Sequence, residues 1–158
     1  RLFQEIREKR GMAYSVYSYG SQYSDSGHVG LYVGTRQDNL VACLEIAVAE
    51  LADLAGGNVR PDELARAKEN LKGRLLLSLE STSNRMTRLG KATVTDTPLL
   101  DIDEIVRRIE AVTGAEVAEL ADELLAPGRL SAAGIGPDEA TFREAAERVN
   151  PELLSRAA

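Results

Sequence analysis

Apolar and polar positions along the chain change period several times, and each change marks an element. In "RLFQEIREKRG", Leu2, Phe3 and Ile6 fall at helical spacing, charges fill the other faces, and Gly11 suits a helix C-cap. From Ala13 to Gly20 the pattern alternates, with Tyr14, Val16 and Ser18 on one face and Ser15, Tyr17 and Tyr19 on the other. "SQYSDSGH" reads as a turn, and "HVGLYVGT" as a second strand with Val29, Leu31 and Val33 on one face. The two strands predict an antiparallel hairpin.

From residue 37 the period is helical. Leu40, Leu44, Val48 and Leu51 form a stripe that ends at Gly56-Gly57. Pro61, followed by Asp62 and Glu63, opens a second long helix whose stripe runs Leu64, Ala67, Leu71 and Leu75. "STSNRMTRLGKAT" continues as a shorter helix. Asp101 with Glu104, and Thr113 with Glu116, have the spacing of capping boxes. They open helices through Ile105, Ile109 and Val112, then through Val117, Leu120 and Leu124, and Pro127-Gly128 stops the second. "RLSAAGIG" reads as a third strand of small residues, and a final helix passes through Phe142, Ala145 and Val149. A hairpin, a block of helices and a returning strand predict an α+β fold, an antiparallel sheet covered on one face by helices.

Composition narrows the function classes. A chain of 158 residues with 44% hydrophobic and 28% charged residues is expected to be one globular domain. Its net charge of -6, from 25 acidic and 19 basic residues, argues against a nucleic-acid partner, which would need a clustered basic face. No apolar run approaches the ~18 residues of a spanning helix, so no membrane partner is expected. The single cysteine, Cys43, excludes a disulfide within the chain and is read as a buried small hydrophobe. That usage is compatible with a reducing cytoplasm, the expected location. The chain opens on Arg1 rather than Met and is expected to be cut short at its N-terminal end.

Independent catalytic sets are absent. A zinc site needs three or four ligands, and the chain has one histidine and one cysteine, far apart. His28 reads as an ordinary surface histidine, and it cannot support a Ser-His-Asp set by itself. "GTRQDN" and "GGNVRPDE" are glycine-containing turns without a phosphate-loop pattern. "SYGSQYSDSG" could form an adaptable binding loop. The rings draw notice: there are five tyrosines, two phenylalanines and no tryptophan, and most lie before residue 24. They suggest either a core or a surface built to be used.

Several stretches together resemble one family. "RLFQEIREKRGMAYSVYS" is similar to the start of the second half-domain of the M16 zinc peptidases, the mitochondrial-processing-peptidase-like family. The likeness continues through "GHVGLYVGT", "DELARAKENLKGRLLLSLESTSNRMTRLG" and "DEIVRRIEAVTGAEVAELADELL" to "RLSAAGIGP", nearly the whole chain. It is nearest to the bacterial branch with two homologous halves per chain. The resemblance implies a LuxS/MPP-like half-domain over residues 1–158. It implies that zinc, bound on an inverted His-x-x-Glu-His helix together with the general base, belongs to the first half-domain. No such motif occurs here, so this chain is expected to hold no cofactor and to be inactive alone.

In that family the second half contributes an arginine and, seven residues later, a tyrosine that reach across the cleft to the substrate carbonyl. The matching positions are Arg7 and Tyr14. Without the resemblance, an arginine near a helix C-terminus reads as a solvated charge and a tyrosine entering a strand as packing. Tyr17 and Tyr19 are read as sheet-packing residues, and Arg10 as surface charge. The implied partners are a homologous zinc-bearing half-domain and a peptide substrate, with a homo-oligomer left open. The competing readings are a noncatalytic scaffold subunit of the same fold and, more distantly, a module that binds peptides at an open sheet edge.

Overall fold

Residues 1–154, which the computed structural model describes, begin with a π-helical turn at Phe3–Glu8. There the Lys9 N–H donates to the Gln4 carbonyl, five residues back, at 2.9 Å. Wide turns of this kind are rare and recur at functional sites. The next elements are β1 (Ala13–Gln22), β2 (Gly27–Thr35), α1 (Leu40–Ala55), α2 (Pro61–Ser78), α3 (Thr82–Val94), α4 (Ile102–Ala111), α5 (Gly114–Leu125) and α6 (Glu139–Val149). Short 3-10 turns lie at Gln37–Asn39, Pro127–Arg129 and Pro151–Leu154. The α+β class holds, and no helix among the described residues is long and apolar enough to cross a membrane. The chain gathers into two units, Arg1–Asn58 with the chain from Ala118 onward, and Val59–Val117.

The first unit is organised around a small apolar cluster of Ile6, Ala13, Val16 and Cys43, flanked by Leu2, Met12, Val33 and Ile46. Gly11, at φ +60°, stops the opening turn in the left-handed conformation that a glycine adopts without steric cost. Its N–H donates to the Arg7 carbonyl at 3.0 Å, and the Met12 N–H to that of Ile6 at 2.9 Å. The chain therefore reverses within a few residues and feeds straight into β1. Thr35 at the end of β2 donates its hydroxyl to the Met12 carbonyl at 2.7 Å, which ties the hairpin's open end to that turn.

The hairpin pairs Val16 with Val33, Tyr17 with Tyr32 and Tyr19 with Gly30. Its register slips between Ala13 and Ser15, where Ala13 faces Thr35 and Ser15 faces Gly34, so Tyr14 is an extra residue. The simple alternation expected for β1 fails at this bulge. Ala13 and Val16 are both 6% exposed although three positions apart, while Tyr14 is 82% exposed instead of sharing the Val16 face. Cys43 on α1 is 2% exposed beneath the hairpin, as a small hydrophobe should be. On α6, Ala145 and Ala146 are fully buried, and their small side chains let this helix approach α1 closely.

Two further expectations are corrected. The segment "RLSAAGIG" forms no strand among the described residues, whose sheet has two strands only. Gly134 lies under the Phe142 ring of α6, where a Cβ would approach to 2.7 Å, and the Ala132 N–H donates to the Leu153 carbonyl at 3.0 Å. The small residues serve close packing of a loop rather than a ladder. In the second unit, α2 turns Leu64, Lys68, Lys72 and Leu75 inward, while Leu71 of the expected stripe is 55% exposed. Lys68 donates to the Glu110 carbonyl at 2.7 Å and Lys72 pairs with the Glu110 carboxylate, so ionic contacts clip α2 to α4.

The helix starts follow their local chemistry. Pro61 occupies the first turn of α2 as expected. The Thr113–Glu116 box closes reciprocally, with the Thr113 N–H to the Glu116 carboxylate at 2.7 Å and the Glu116 N–H to the Thr113 hydroxyl at 3.2 Å. The Asp101–Glu104 box is only half formed. Asp101 accepts from the Asp103 N–H at 3.1 Å, but Glu104 turns to Arg107 and Arg108 instead.

A methyl added at Gly11 would meet nothing within 4 Å, so the cost of Gly11→Ala is conformational alone. It is expected at about 1–2 kcal/mol, the penalty of a left-handed residue with a Cβ. Ile6→Ala, which empties a site with 0% exposure, is expected to cost about 2–5 kcal/mol. Urea unfolding of both variants checks the magnitudes and their order.

Candidate functional site

The π-helical turn and the bulge act on neighbouring side chains. With Ile6 in the core, Phe3 and Arg7, four positions apart, lie together outside it. The Gly11 reversal returns the chain past them, and the bulge turns Tyr14 outward. The Arg7 guanidinium carbon stands 4.9 Å from the Phe3 ring centre and 4.9 Å from that of Tyr14. Both distances are within the range of cation–π attraction. The structure thus brings together the two residues picked out by the resemblance and adds Phe3, which sequence reasoning had assigned only to a helical stripe. The available signal for Phe3 was its i, i+4 spacing to Arg7.

Local electrostatics leave this cation uncommitted. Glu5, an acid on the same turn, is bound by Lys9 and by Arg10, whose Nη1 lies 2.5 Å from the carboxylate. Arg10 also donates to the Glu5 carbonyl at 2.8 Å, so this surface charge also clamps the turn. The two cations hold the Glu5 carboxyl down at about 2, chiefly through the Lys9 hydrogen bond and then that of Arg10. Among the described residues the Arg7 side chain makes no hydrogen bond or ion pair, and neither does the Tyr14 hydroxyl. A guanidinium whose contacts are with rings keeps its in-plane N–H donors for an outside acceptor. Arg7 and Tyr14 together can donate hydrogen bonds to carbonyl or carboxylate oxygens.

The remaining candidates are accounted for differently. Tyr17 stacks on Tyr32 at 5.0 Å and 25°, and Tyr19 meets the edge of His28 at 5.7 Å and 88°. These contacts run across the strands, on a face where Tyr17 and Tyr19 stay about half exposed. The stretch "SYGSQYSDSG" is mostly the end of β1, closed by a tight turn in which the Tyr23 N–H donates to the Ser26 carbonyl at 2.9 Å. In the second unit, an open depression of about 290 Å³ is lined by Pro61, Leu64, Ala65, Lys68, Glu69 and Glu110. Its carboxylates, Glu69 and Glu110, both pair with Lys72, which draws the Glu110 carboxyl below its ordinary value, and Lys68 donates to the Glu110 carbonyl. No group of three His, Cys, Asp or Glu side chains among the described residues could hold a metal ion.

Comparison with known proteins extends these observations. Residues 1–71 match the family described as "Peptidase M16 inactive domain". The chain is 41% identical over 137 residues to an uncharacterized zinc protease of Streptomyces coelicolor, covering 87% of this chain and 30% of that protein. It is 43% identical over 124 residues to the uncharacterized zinc protease YmxG of Bacillus subtilis, covering 78% of this chain and 30% of the relative. The crystal structure of a conserved protein from Enterococcus faecalis superposes with a TM-score of 0.65 at 28% identity, over 76% of this chain and 28% of that one. The chain thus spans about 30% of the length of the curated relatives it matches. Among the described residues no side-chain group fits the zinc that the relatives' names imply.

The Glu5 clamp carries a pH signature. Because its carboxyl is depressed from 4.5 to about 2, the stabilisation it adds is present above pH 4.5 and is lost as pH falls towards 2. Titration of the Glu5 carboxyl carbon by NMR is expected to show a midpoint near 2 and no change in the opening turn between pH 5 and 7. Glu5→Gln should abolish the acid-side transition of that turn.

Proposed function

The chain belongs to the M16 peptidase family, as its inactive domain, and we propose that it serves a zinc-dependent endopeptidase as the half that grips the substrate. On this reading Arg7 and Tyr14 reach the peptide from one side. The zinc and the general base lie on a homologous half-domain, a reading supported by the lack of a fitting ligand group among the described residues. The observation that carries the reading is the pair of uncommitted donors: an exposed phenol, 82% accessible, beside a guanidinium 4.9 Å from its ring.

The chemistry suits those residue types. Addition to a peptide carbonyl places negative charge on its oxygen, and a preorganised phenol O–H aimed there is worth about 2.7–4 kcal/mol, by analogy with other oxyanion donors. Arginine presents a rigid planar fork that can bind backbone carbonyls and hold an extended chain in register. Neither role asks for a proton to be lost at neutral pH. The working location is the cytoplasm, where a lone thiol such as Cys43 stays reduced.

The test combines this chain with its zinc-bearing half-domain and follows cleavage of quenched fluorescent peptides. This chain alone should be inactive and the pair active. Tyr14→Phe should lower kcat by about 10²–10³-fold, and Arg7→Ala should act mainly on KM. A folded, zinc-loaded pair that cleaves nothing in a broad peptide library would instead support the noncatalytic scaffold reading. Unimpaired turnover in Tyr14→Phe would remove the phenol from the mechanism.

A further inference from the structure

We infer that Phe3 is a positioning residue for Arg7, holding the guanidinium so that its in-plane donors stay free for the substrate backbone. The inference rests on the proposed role of Arg7 and adds a residue that the family resemblance does not single out. Three observations support it. The Phe3 ring is 43% exposed, so it does not serve the apolar cluster, which takes Ile6 from this turn with Leu2 packed against it. Its centre lies 4.9 Å from the Arg7 guanidinium carbon, the same distance as the Tyr14 ring. Glu5, an acid on the same turn that could have oriented Arg7 in place of the ring, is engaged by Lys9 and Arg10, and among the described residues no carboxylate pairs with Arg7.

The physical point is what each kind of contact consumes. A carboxylate would orient an arginine through its N–H groups and so occupy the donors needed for a ligand. An aromatic ring attracts the cation through its π-electrons and leaves the N–H groups unused. A long side chain with many rotamers is thereby confined without loss of function. Phe3 sits on the π-helical turn, which Ile6 anchors in the core, while Tyr14 sits on the bulge of β1. The cation is held from two separately anchored elements.

The test has a structural and a kinetic arm. In NMR of this chain, the Arg7 side-chain protons should be shifted upfield by ring currents. Phe3→Leu should move them towards free-arginine values, and Phe3→Tyr should leave them in place. In the assembled enzyme, Phe3→Leu should raise KM about 2–5-fold with little change in kcat, Phe3→Tyr should restore it, and Phe3→Leu should add nothing to Arg7→Ala. If Phe3→Leu lowers stability, Phe3→Met is the second non-aromatic variant, judged at a temperature where it is folded. Unchanged Arg7 shifts in a folded non-aromatic variant overturn the inference. So does a KM effect that persists in full on the Arg7→Ala background. If Arg7→Ala itself leaves KM unaltered, the substrate-gripping reading fails, and the NMR arm still decides whether Phe3 orients the guanidinium.

Discussion

Ala13 and Val16 stand three positions apart in one strand, and both must bury against Ile6 and Cys43. A regular pleat cannot satisfy both, because odd and even positions point to opposite faces. The bulge resolves the conflict by inserting Tyr14 without a partner, and the same insertion delivers Tyr14 to solvent. An apolar demand in the core thus sets the position of the most chemically interesting ring on the surface. The Gly11 reversal is the other half of that constraint, since it sets where β1 starts relative to the turn that carries Arg7. Altering either would displace the phenol and the cation with respect to each other, with no change in their chemistry.

Charge is arranged with the same economy around Arg7. The sequence "QEIREKR" mixes acids and bases closely enough that any of several ion pairs could form. The turn selects Glu5 with Lys9 and Arg10, which are four and five positions on, and leaves Arg7 to the rings. Exposed pairs of this kind contribute little to stability. Their consequence here is local: a carboxylate that would compete for Arg7 is saturated by others. The second unit uses its ions differently, with Lys72 between Glu69 and Glu110 clipping two helices together.

Much of this fold was legible in the sequence wherever the cause is local. Pro61, the Thr113–Glu116 box and the left-handed Gly11 each act within a few residues, and each was read correctly. The bulge was not, because it depends on the pairing of Ala13 with Thr35, a contact between distant positions. "RLSAAGIG" was misread because small residues suit a buried strand and also suit a loop lying under an aromatic ring, as Gly134 does beneath Phe142. On α2 the stripe of Leu64, Ala67, Leu71 and Leu75 concealed that Lys68 and Lys72 take half-buried positions, because their contacts with Glu110 lie on a distant helix. For the site, composition and spacing alone assigned nothing. Arg7 and Tyr14 came from the family resemblance, and Phe3 required the three-dimensional arrangement.

A domain can matter to a reaction without holding the metal itself, if its task is to donate hydrogen bonds at a set place. Such a task needs no special pKa, because arginine and tyrosine are already in the donating form across the neutral range. What it needs is restraint of two flexible side chains whose donors must remain unused until the ligand arrives. Backbone irregularities are a suitable means, since they consume no side-chain donors. A π-helical turn, a left-handed glycine and a strand bulge occur here within thirteen residues, from Phe3 to Ser15, around one guanidinium. Each costs some regular hydrogen bonding, and the bulge in addition lets Ala13 and Val16 share the core face. Their concentration around Arg7 and Tyr14, rather than elsewhere in the hairpin, is the physical support for the proposal that this corner meets the substrate.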